Sequence, residues 1–415
     1  MTSVVVFEDS QIDGLYPVSL ARPGYAITCG AFRLIDWLAE LSVRVYGVVR
    51  PHLEEIQQLD FPLCSQDWPG APGDAVLYVN ARLIPCRTAF EALRSWVADP
   101  QPGLVRTEAG IAAFCPRPTD PQLEQLEYQA MQQYLEQPWL EALPVREAHL
   151  ELLRYSHELI DANQRTIQEN LEYRLSRGHY REVADGVFVA ERVRWEEPVV
   201  FNTRQGPIVL DEEVSVGPFS YLAGPVYVGR QSKLIEHASV KDAVSIGHTV
   251  KIGGEVEASI IEPYTNKQHY GFLGHSYLGS WINLGAGTCN SDLKNTYGLI
   301  NMDYPFGRVA TGRQFVGCIM GDYSKTAINT GIFTGKTIGV CSMLYGFVTT
   351  NVPSFVTYAR LFGQVTEVPP EVMIATQQRM FQRRRVVQRP CDIQLIRDMY
   401  ELSRQDRHVM SEVSL

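Results

Sequence analysis

The first 232 residues of this 415-residue chain contain no lysine at all; the first one is Lys233. Any fixed cation in that half must be arginine, chiefly Arg22, Arg33 or Arg82, and a guanidinium meets phosphate with a geometry unlike that of an ammonium. Cysteine pairing is also missing. The eight cysteines (29, 64, 86, 115, 289, 318, 341 and 391) are scattered and form no CxxC, so neither a zinc ribbon nor a disulfide framework is expected, and a reduced, cytoplasmic protein is the default. No apolar run approaches the ~18 residues of a membrane helix. Residues Met1 to Asp9 lack the basic segment of a secretory signal. The formal charge of −10 leaves no basic footprint for nucleic acid. The apolar content of 45% suffices for cores in two or three domains.

What is present is a cadence. From Leu210 to Ile252 an aliphatic residue returns at every sixth position: Leu210, Val216, Leu222, Val228, Leu234, Val240, Ile246, Ile252. A second column (Ile208, Val214, Ser220, Val226, Ser232, Ala238, Val244, Val250) runs beside it. Neither a helix nor an alternating strand repeats at six. The period marks a parallel β-helix, in which each hexad makes one face of a triangular prism and one side chain per face points inward. Glycine often follows the inward residue (Gly217, Gly229, Gly247, Gly253), as a corner with positive φ would require. The register slips twice. Ile252 to Leu278 and Leu284 to Val316 are each two residues longer than a multiple of six, which predicts inserted loops near 259–272 and 289–311. Inserts on a rigid scaffold are where function concentrates.

The rest of the chain reads differently. Residues 1–145 alternate short strands (Val4–Phe7, Val43–Val49, Ala75–Val79) with helical stretches (Phe32–Leu41, Phe90–Ala98), as in an α/β sheet covered by helices. Residues 146–185 carry helical spacing and are expected to be a helical connector. The prism takes 186–352. Residues 353–415 form a C-terminal helical extension, with stretches starting at Pro369-Pro370 and Pro390, expected to cap the prism end. The basic run Arg383-Arg384-Arg385 reads as a solvated helix face before it reads as an anion site.

The first insert reads Asn266-Lys267-Gln268-His269-Tyr270-Gly271-Phe272-Leu273-Gly274, and the next coil Ile282-Asn283-Leu284-Gly285-Ala286-Gly287-Thr288. Together they resemble the acetyltransferase half of the bifunctional N-acetylglucosamine-1-phosphate uridyltransferase/glucosamine-1-phosphate acetyltransferase family. The segment 321–330, and Phe7-Glu8-Asp9, Leu15-Tyr16-Pro17, Ala21-Arg22-Pro23 and Tyr78-Val79-Asn80-Ala81-Arg82, look like a variant branch with a divergent sugar nucleotidyltransferase-like N-terminal domain. The resemblance implies a left-handed β-helix, a homotrimer and acetyl transfer from acetyl-CoA to an amino-sugar 1-phosphate. Uridylyl transfer from UTP, leading to UDP-N-acetylglucosamine or a related nucleotide sugar, would follow from an active N-terminal domain. It places His269 as general base for the attacking amine, a task suited to imidazole. Lys251, Lys267, Asn283, Asn290 and Lys294 are candidates for the sugar phosphate. Gly285, Ala286 and Thr288 are candidates for acetyl-CoA, with backbone amides facing the developing oxyanion. Nucleotide binding would fall to Asp9, Arg22, Asn80 and Arg82, with Mg²⁺ if that domain is active. The pattern also departs from the family. No tyrosine follows the Gly-Ala-Gly-Thr turn, Glu255 and Glu257 stand where paired lysines are expected, and Asn80-Ala81-Arg82 replaces the expected metal-binding aspartate.

Two other classes stay open. A zinc hydratase of the γ-type carbonic anhydrase kind uses three histidines on such a prism, and His237, His248, His269 and His275 are available. A non-catalytic scaffold would use the prism only to assemble.

Overall fold

The computed structural model describes residues 2–62, 64–65, 68 and 75–411. The chain packs as two compact units, one of residues 1–15, 22–27 and 32–155, the other of 16–21, 28–31 and 156–415.

The first unit is built on a six-stranded sheet. Its strands are β1 (Thr2–Phe7), β2 (Arg44–Val48), β3 (Cys64–Ser65), β4 (Ala75–Asn80), β5 (Gly103–Thr107) and β6 (Gly110–Cys115), in the order β3-β2-β1-β4-β6-β5. The first four are parallel, and β6 runs antiparallel to β4 and β5. Val4, Val5, Val6, Leu77, Tyr78 and Val79 are fully buried, as expected for central strands sandwiched on both faces. Helices α1 (Leu34–Glu40), α2 (Glu54–Asp60), α3 (Arg87–Ala98) and α4 (Tyr128–Leu135) complete it. The three strands and two helices read from the sequence are all found. The β5–β6 hairpin was missed because it bears no turn dipeptide of the usual kind.

In the second unit the helical connector reduces to α5 (Glu158–Ser176); residues 146–157 are not helical. Leu159, Ile167 and Leu171 bury one side of α5. Asn163 ties it to the prism, donating to Ala243 O at 2.7 Å and accepting from Ser245 Oγ at 2.6 Å.

The prism is a parallel β-helix. Its first face is a ladder from Val187–Val189 to Lys336–Ile338, closed at one edge by the antiparallel strand Arg181–Ala184. The second runs from Arg194–Trp195 to Asn266–Lys267, continues through Asn283 to Lys325–Thr326, and ends beyond residue 352 at Val356–Ala359 with antiparallel Gln364–Glu367. The third runs from Val199–Asn202 to Phe272–Gly274 and on through Cys289–Asn290 to Phe347–Val348. Eighteen residues separate paired positions in the regular part, as in Leu210 with Val228 and Leu234 with Ile252. The inward columns form one continuous core.

Two sequence expectations change here. The glycines following the inward residues do not adopt positive φ. Left-handed positions here include Glu213, Phe219, Gln231, His237, Ala243 and Thr249, each three residues after an inward side chain. Gly217, Gly229, Gly247 and Gly253 are instead excluded-volume glycines. A Cβ would meet the next coil at 2.5, 2.7, 2.7 and 2.0 Å respectively, closer than atoms pack. The first register slip is likewise not an insert. Ile252 pairs with Lys267, Ile246 with Ile261 and Val240 with Val256, at offsets of fifteen, fifteen and sixteen. Corners have been trimmed, so the interval from Ile252 to Leu278 is five hexads, three of them shortened, rather than four lengthened ones. The second slip is a true insert. Leu278 pairs with Met320, and the intervening chain carries the hairpin Asn301–Tyr304/Gly307–Ala310. That hairpin is anchored by Tyr304 Oη, 2.7 Å from His157 Nδ1.

The C-terminal helices are α6 (Pro370–Arg383), α7 (Pro390–Leu402) and α8 (Arg404–Ser411). Rather than only capping an end, they lie along the corner between the first and second faces. Left-handed Tyr264, Trp281, Tyr323 and Phe355 line that corner. Phe381 packs on Trp281 at 4.4 Å and Tyr400 on Phe355 at 5.3 Å.

Candidate active site

Trimming the corners has a chemical consequence. Lys267 occupies an inward position of the second face, in line with Ile252 below and Leu284 above. It is 2% exposed. Its Nζ donates to the carbonyls of Gly253 at 2.6 Å, His269 at 2.9 Å and Gly271 at 2.8 Å. All three donors of the ammonium are used, and burial pulls its pKa down to about 8. Lys267 therefore does not reach a sugar phosphate; it pins the corner Gln268–Gly271 from inside. The polar interior continues at this level. Asn290 is buried, with its side chain accepting from Gly274 N at 2.9 Å and donating to Gly274 O at 3.0 Å. Thr288 is buried, with Oγ1 2.7 Å from Thr326 Oγ1. Both side chains are buried within the prism. Four polar side chains (Lys267, Thr288, Asn290, Thr326) stand where other coils place aliphatics.

The outer side of that corner presents His269, which is exposed. Beside it Tyr270 is 68% exposed, with Oη 3.5 Å from Asn329 Oδ1. The Gly285–Thr288 turn packs against both, since Gly287 donates to Tyr270 O at 3.0 Å and Asn329 N to Ala286 O at 2.7 Å. The amides of Gly285, Gly287 and Thr288 are committed to Thr326, Tyr270 and Gly285 carbonyls, while that of Ala286 makes no hydrogen bond among the described residues. Asn283 is exposed and accepts from Asn266 Nδ2 at 3.0 Å. Lys251 lies one rung below Asn266 on the same face. Lys294 belongs to the second insert, where Nζ donates to Leu299 O at 2.6 Å. So the structure brings His269, Asn283, Gly285 and Ala286 to one surface, turns Lys267, Asn290 and Thr288 inward, and ties Lys294 into the insert.

Three features escaped sequence reading. Lys241 bridges Glu255 at 2.9 Å and Glu257 at 3.4 Å on the third face, and these carboxylates raise its pKa. His275 Nδ1 is 2.9 Å from Asp292 Oδ2, its ring stacked 5.2 Å from Phe315. Asn329 reaches Tyr270 from two rungs away in sequence terms. Each pairing joins residues one coil or more apart, a spacing hidden by the altered register. Three of the four histidines named for zinc are otherwise engaged: His275 with Asp292, His237 stacked on Phe219 at 5.1 Å and His248 packed on Tyr264 at 5.0 Å. Among the described residues no group of three or more potential ligands is placed to hold a metal.

In the first unit, Asp9, Asn80 and Arg82 do come together, at the ends of β1 and β4. Arg82 is fully buried, with Nε 2.8 Å and Nη2 2.7 Å from the two oxygens of Asp9. It also donates to Leu153 O at 2.6 Å and Ala109 O at 2.8 Å. Asn80 Nδ2 donates to Asp9 Oδ2 at 2.8 Å. Both carboxylate oxygens are thus saturated by a guanidinium and an amide, a donor set that does not fit Mg²⁺. A neighbouring pair, Glu8 with Arg50 at 3.0 Å, is closed in the same way by Gly24 N at 2.8 Å. Arg22 does not join the Asp9 cluster's hydrogen bonds.

The fold has two parts, an α/β unit followed by a hexad β-helix. Residues 4–177 match the family model described as sugar nucleotidyl transferase. A bifunctional sugar-1-phosphate nucleotidylyltransferase/acetyltransferase of Sulfurisphaera tokodaii is 26% identical over 143 residues, covering 34% of this chain and 36% of that protein. A bifunctional protein GlmU of Streptococcus pyogenes is 26% identical over 167 residues, 40% of this chain and 32% of that protein. The matched stretches span about a third of those relatives' length. The structure of a UDP-N-acetylglucosamine acyltransferase of Francisella novicida covers 54% of this chain and 78% of its own, at 15% identity and a TM-score of 0.28, a likeness too slight to carry an argument.

Proposed function

We propose that this chain is an acetyl-CoA-dependent N-acetyltransferase acting on an amino-sugar phosphate. The observation that carries the reading is the corner at His269. It is an exposed imidazole on a loop locked from within by Lys267, set against the Gly285–Thr288 turn. In this reading His269 takes the proton from the sugar amine as it attacks the thioester carbon. The carbonyl oxygen gains charge and is met by the Ala286 amide, and the thiol of CoA leaves carrying a proton returned by the imidazole. Asn283 holds the sugar, and Tyr270 with Asn329 walls the site. The carboxylates of Glu255 and Glu257 favour the amine end of the acceptor over its phosphate. A homotrimer, with acetyl-CoA along the prism between neighbouring subunits, completes the proposal, as does a cytoplasmic setting; no described helix is long and apolar enough to cross a membrane.

Acetyl-CoA consumption with glucosamine-1-phosphate and other hexosamine phosphates, wild type against His269→Ala, tests it. Removal of a general base should lower kcat by about 10²–10⁴. No turnover with any amino-sugar phosphate, or full turnover by the variant, rejects it. The companion proposal, uridylyl transfer by the first unit, is read separately as pyrophosphate release from UTP and N-acetylglucosamine-1-phosphate, with loss on Arg22→Ala. No step of it is routed through Mg²⁺, because Asp9 is closed by Arg82.

A further inference from the structure

The docking of α6 does more than cover aromatic rings. By seating Phe381 on Trp281, which itself stacks on Tyr264 at 4.2 Å, it delivers Arg383 and Arg384 to the edge of the second face. There Lys233 and Lys251 are register partners on adjacent parallel strands, about 4.8 Å apart across the ladder. Lys251 is half-buried. Every charge that acts on it is positive: Arg384, Lys233 and Arg383 each push its pKa down, in addition to burial. Arg384 is destabilised as a cation in turn by burial and by Arg383. None of the four enters an ion pair among the described residues, although elsewhere in the chain surface cations regularly do, as Lys241, Arg192 and Arg87 show. In a chain with a net charge of −10, four uncompensated cations drawn from sites 130 or more residues apart are not what solvation alone selects, since like charges at this range repel.

We propose that Lys233, Lys251, Arg383 and Arg384 form a binding site for a diphosphate group, assembled by the docking of α6 on the prism. Four cations on two elements match an anion carrying more than one charge better than a single phosphate monoester. Arginine supplies paired donors and lysine point charges, the usual combination for oligophosphates. The stack of Tyr264, Trp281 and Phe381 beside these cations fixes where α6 rests. The bearer of the diphosphate is either a nucleoside diphosphate or coenzyme A, and the chemistry of recognition is shared. The site does not depend on acetyl transfer, and it is read by binding alone.

The test is calorimetric titration of the full chain with inorganic phosphate, inorganic pyrophosphate, UDP and CoA, for wild type and for Lys251→Gln/Arg384→Gln. Pyrophosphate should bind at least tenfold more tightly than phosphate, weaken with added salt, and lose tenfold or more in the double variant. UDP and CoA then identify the bearer by which of them is affected by the same substitutions. Thermal melting without ligand gives a second reading. Relief of repulsion should leave the variant's Tm equal to or above that of wild type, whereas a structural role would lower it by several degrees. Equal affinity for phosphate and pyrophosphate, affinity unchanged by the substitutions, or a clear fall in Tm each overturns the proposal.

Discussion

Replacing Lys267 by methionine keeps the length of the side chain and removes its three donors. The carbonyls of Gly253, His269 and Gly271 would then be left without the partner that sits 2.6–2.9 Å away. A buried acceptor stripped of its partner costs about 1–3 kcal/mol. Three of them, offset in part by the removal of a buried charge, put the loss at about 3–5 kcal/mol for the second unit. The damage should be local. The amides of Gly271 to Gly274, whose strand leaves this corner, should exchange with deuterium faster, while the regular coils around Leu210 to Ile246 stay protected. Turnover should fall through kcat, with the KM for acetyl-CoA little changed, because the lysine positions the His269 corner without touching substrate. The ammonium also sets a pH dependence. Its pKa of about 8 in the fold lies below the ~10.4 of an unfolded lysine, so between those values the unfolded chain binds more protons. Stability contributed by this group is then gained as pH rises from 8 towards 10 and lost as it falls back through 8; the methionine variant should lack that gain. A variant with wild-type melting, exchange and kcat would refute the idea that Lys267 holds the site together.

Other expectations follow from the same geometry. Gly271→Ala should destabilise the corner and depress acetyl transfer, since Gly271 has φ +132 and an added Cβ would lie 2.1 Å from Thr288 O; wild-type activity and unchanged Tm would count against it. Arg82→Met should cost the first unit about 3–5 kcal/mol in a denaturant titration by stranding buried Asp9, and addition of Mg²⁺ to the wild type should leave its melting unmoved. Ile246→Ala, in the middle of the inward column, should cost about 2–5 kcal/mol with no direct effect on ligand binding, and a neutral outcome would mean the column is not the core of the prism.

How much of this was legible beforehand depends on whether a pattern is local. The hexad columns from Leu210 to Ile252 specify the prism because each inward residue is fixed by its own six-residue segment. The strands Thr2–Phe7 and Ala75–Asn80 and the proline-started helices α6 and α7 are likewise local signals. The motif around His269 and Gly285 was visible as a resemblance, and it lies at the surface of the prism. Its lysine was not readable in the same way. Whether a side chain at position 267 points in or out depends on the count of residues through the trimmed corners at 252–261, and a one-residue change in that count reverses the face.

The sequence by itself determined the repeating column, the α/β start, the arginine-only first half and the histidine beside a glycine-rich coil, since all of these are written in short stretches of chain. The tertiary structure alone decided that Lys267, Thr288 and Asn290 face inward, that Arg82 closes Asp9, and that the charge of Arg384 acts on Lys251. Those outcomes depend on how far one coil is offset from the next and on where a helix distant in sequence comes to rest. Hydrogen bonds and charges act across space over a few ångströms, and only the folded register says which groups lie that close.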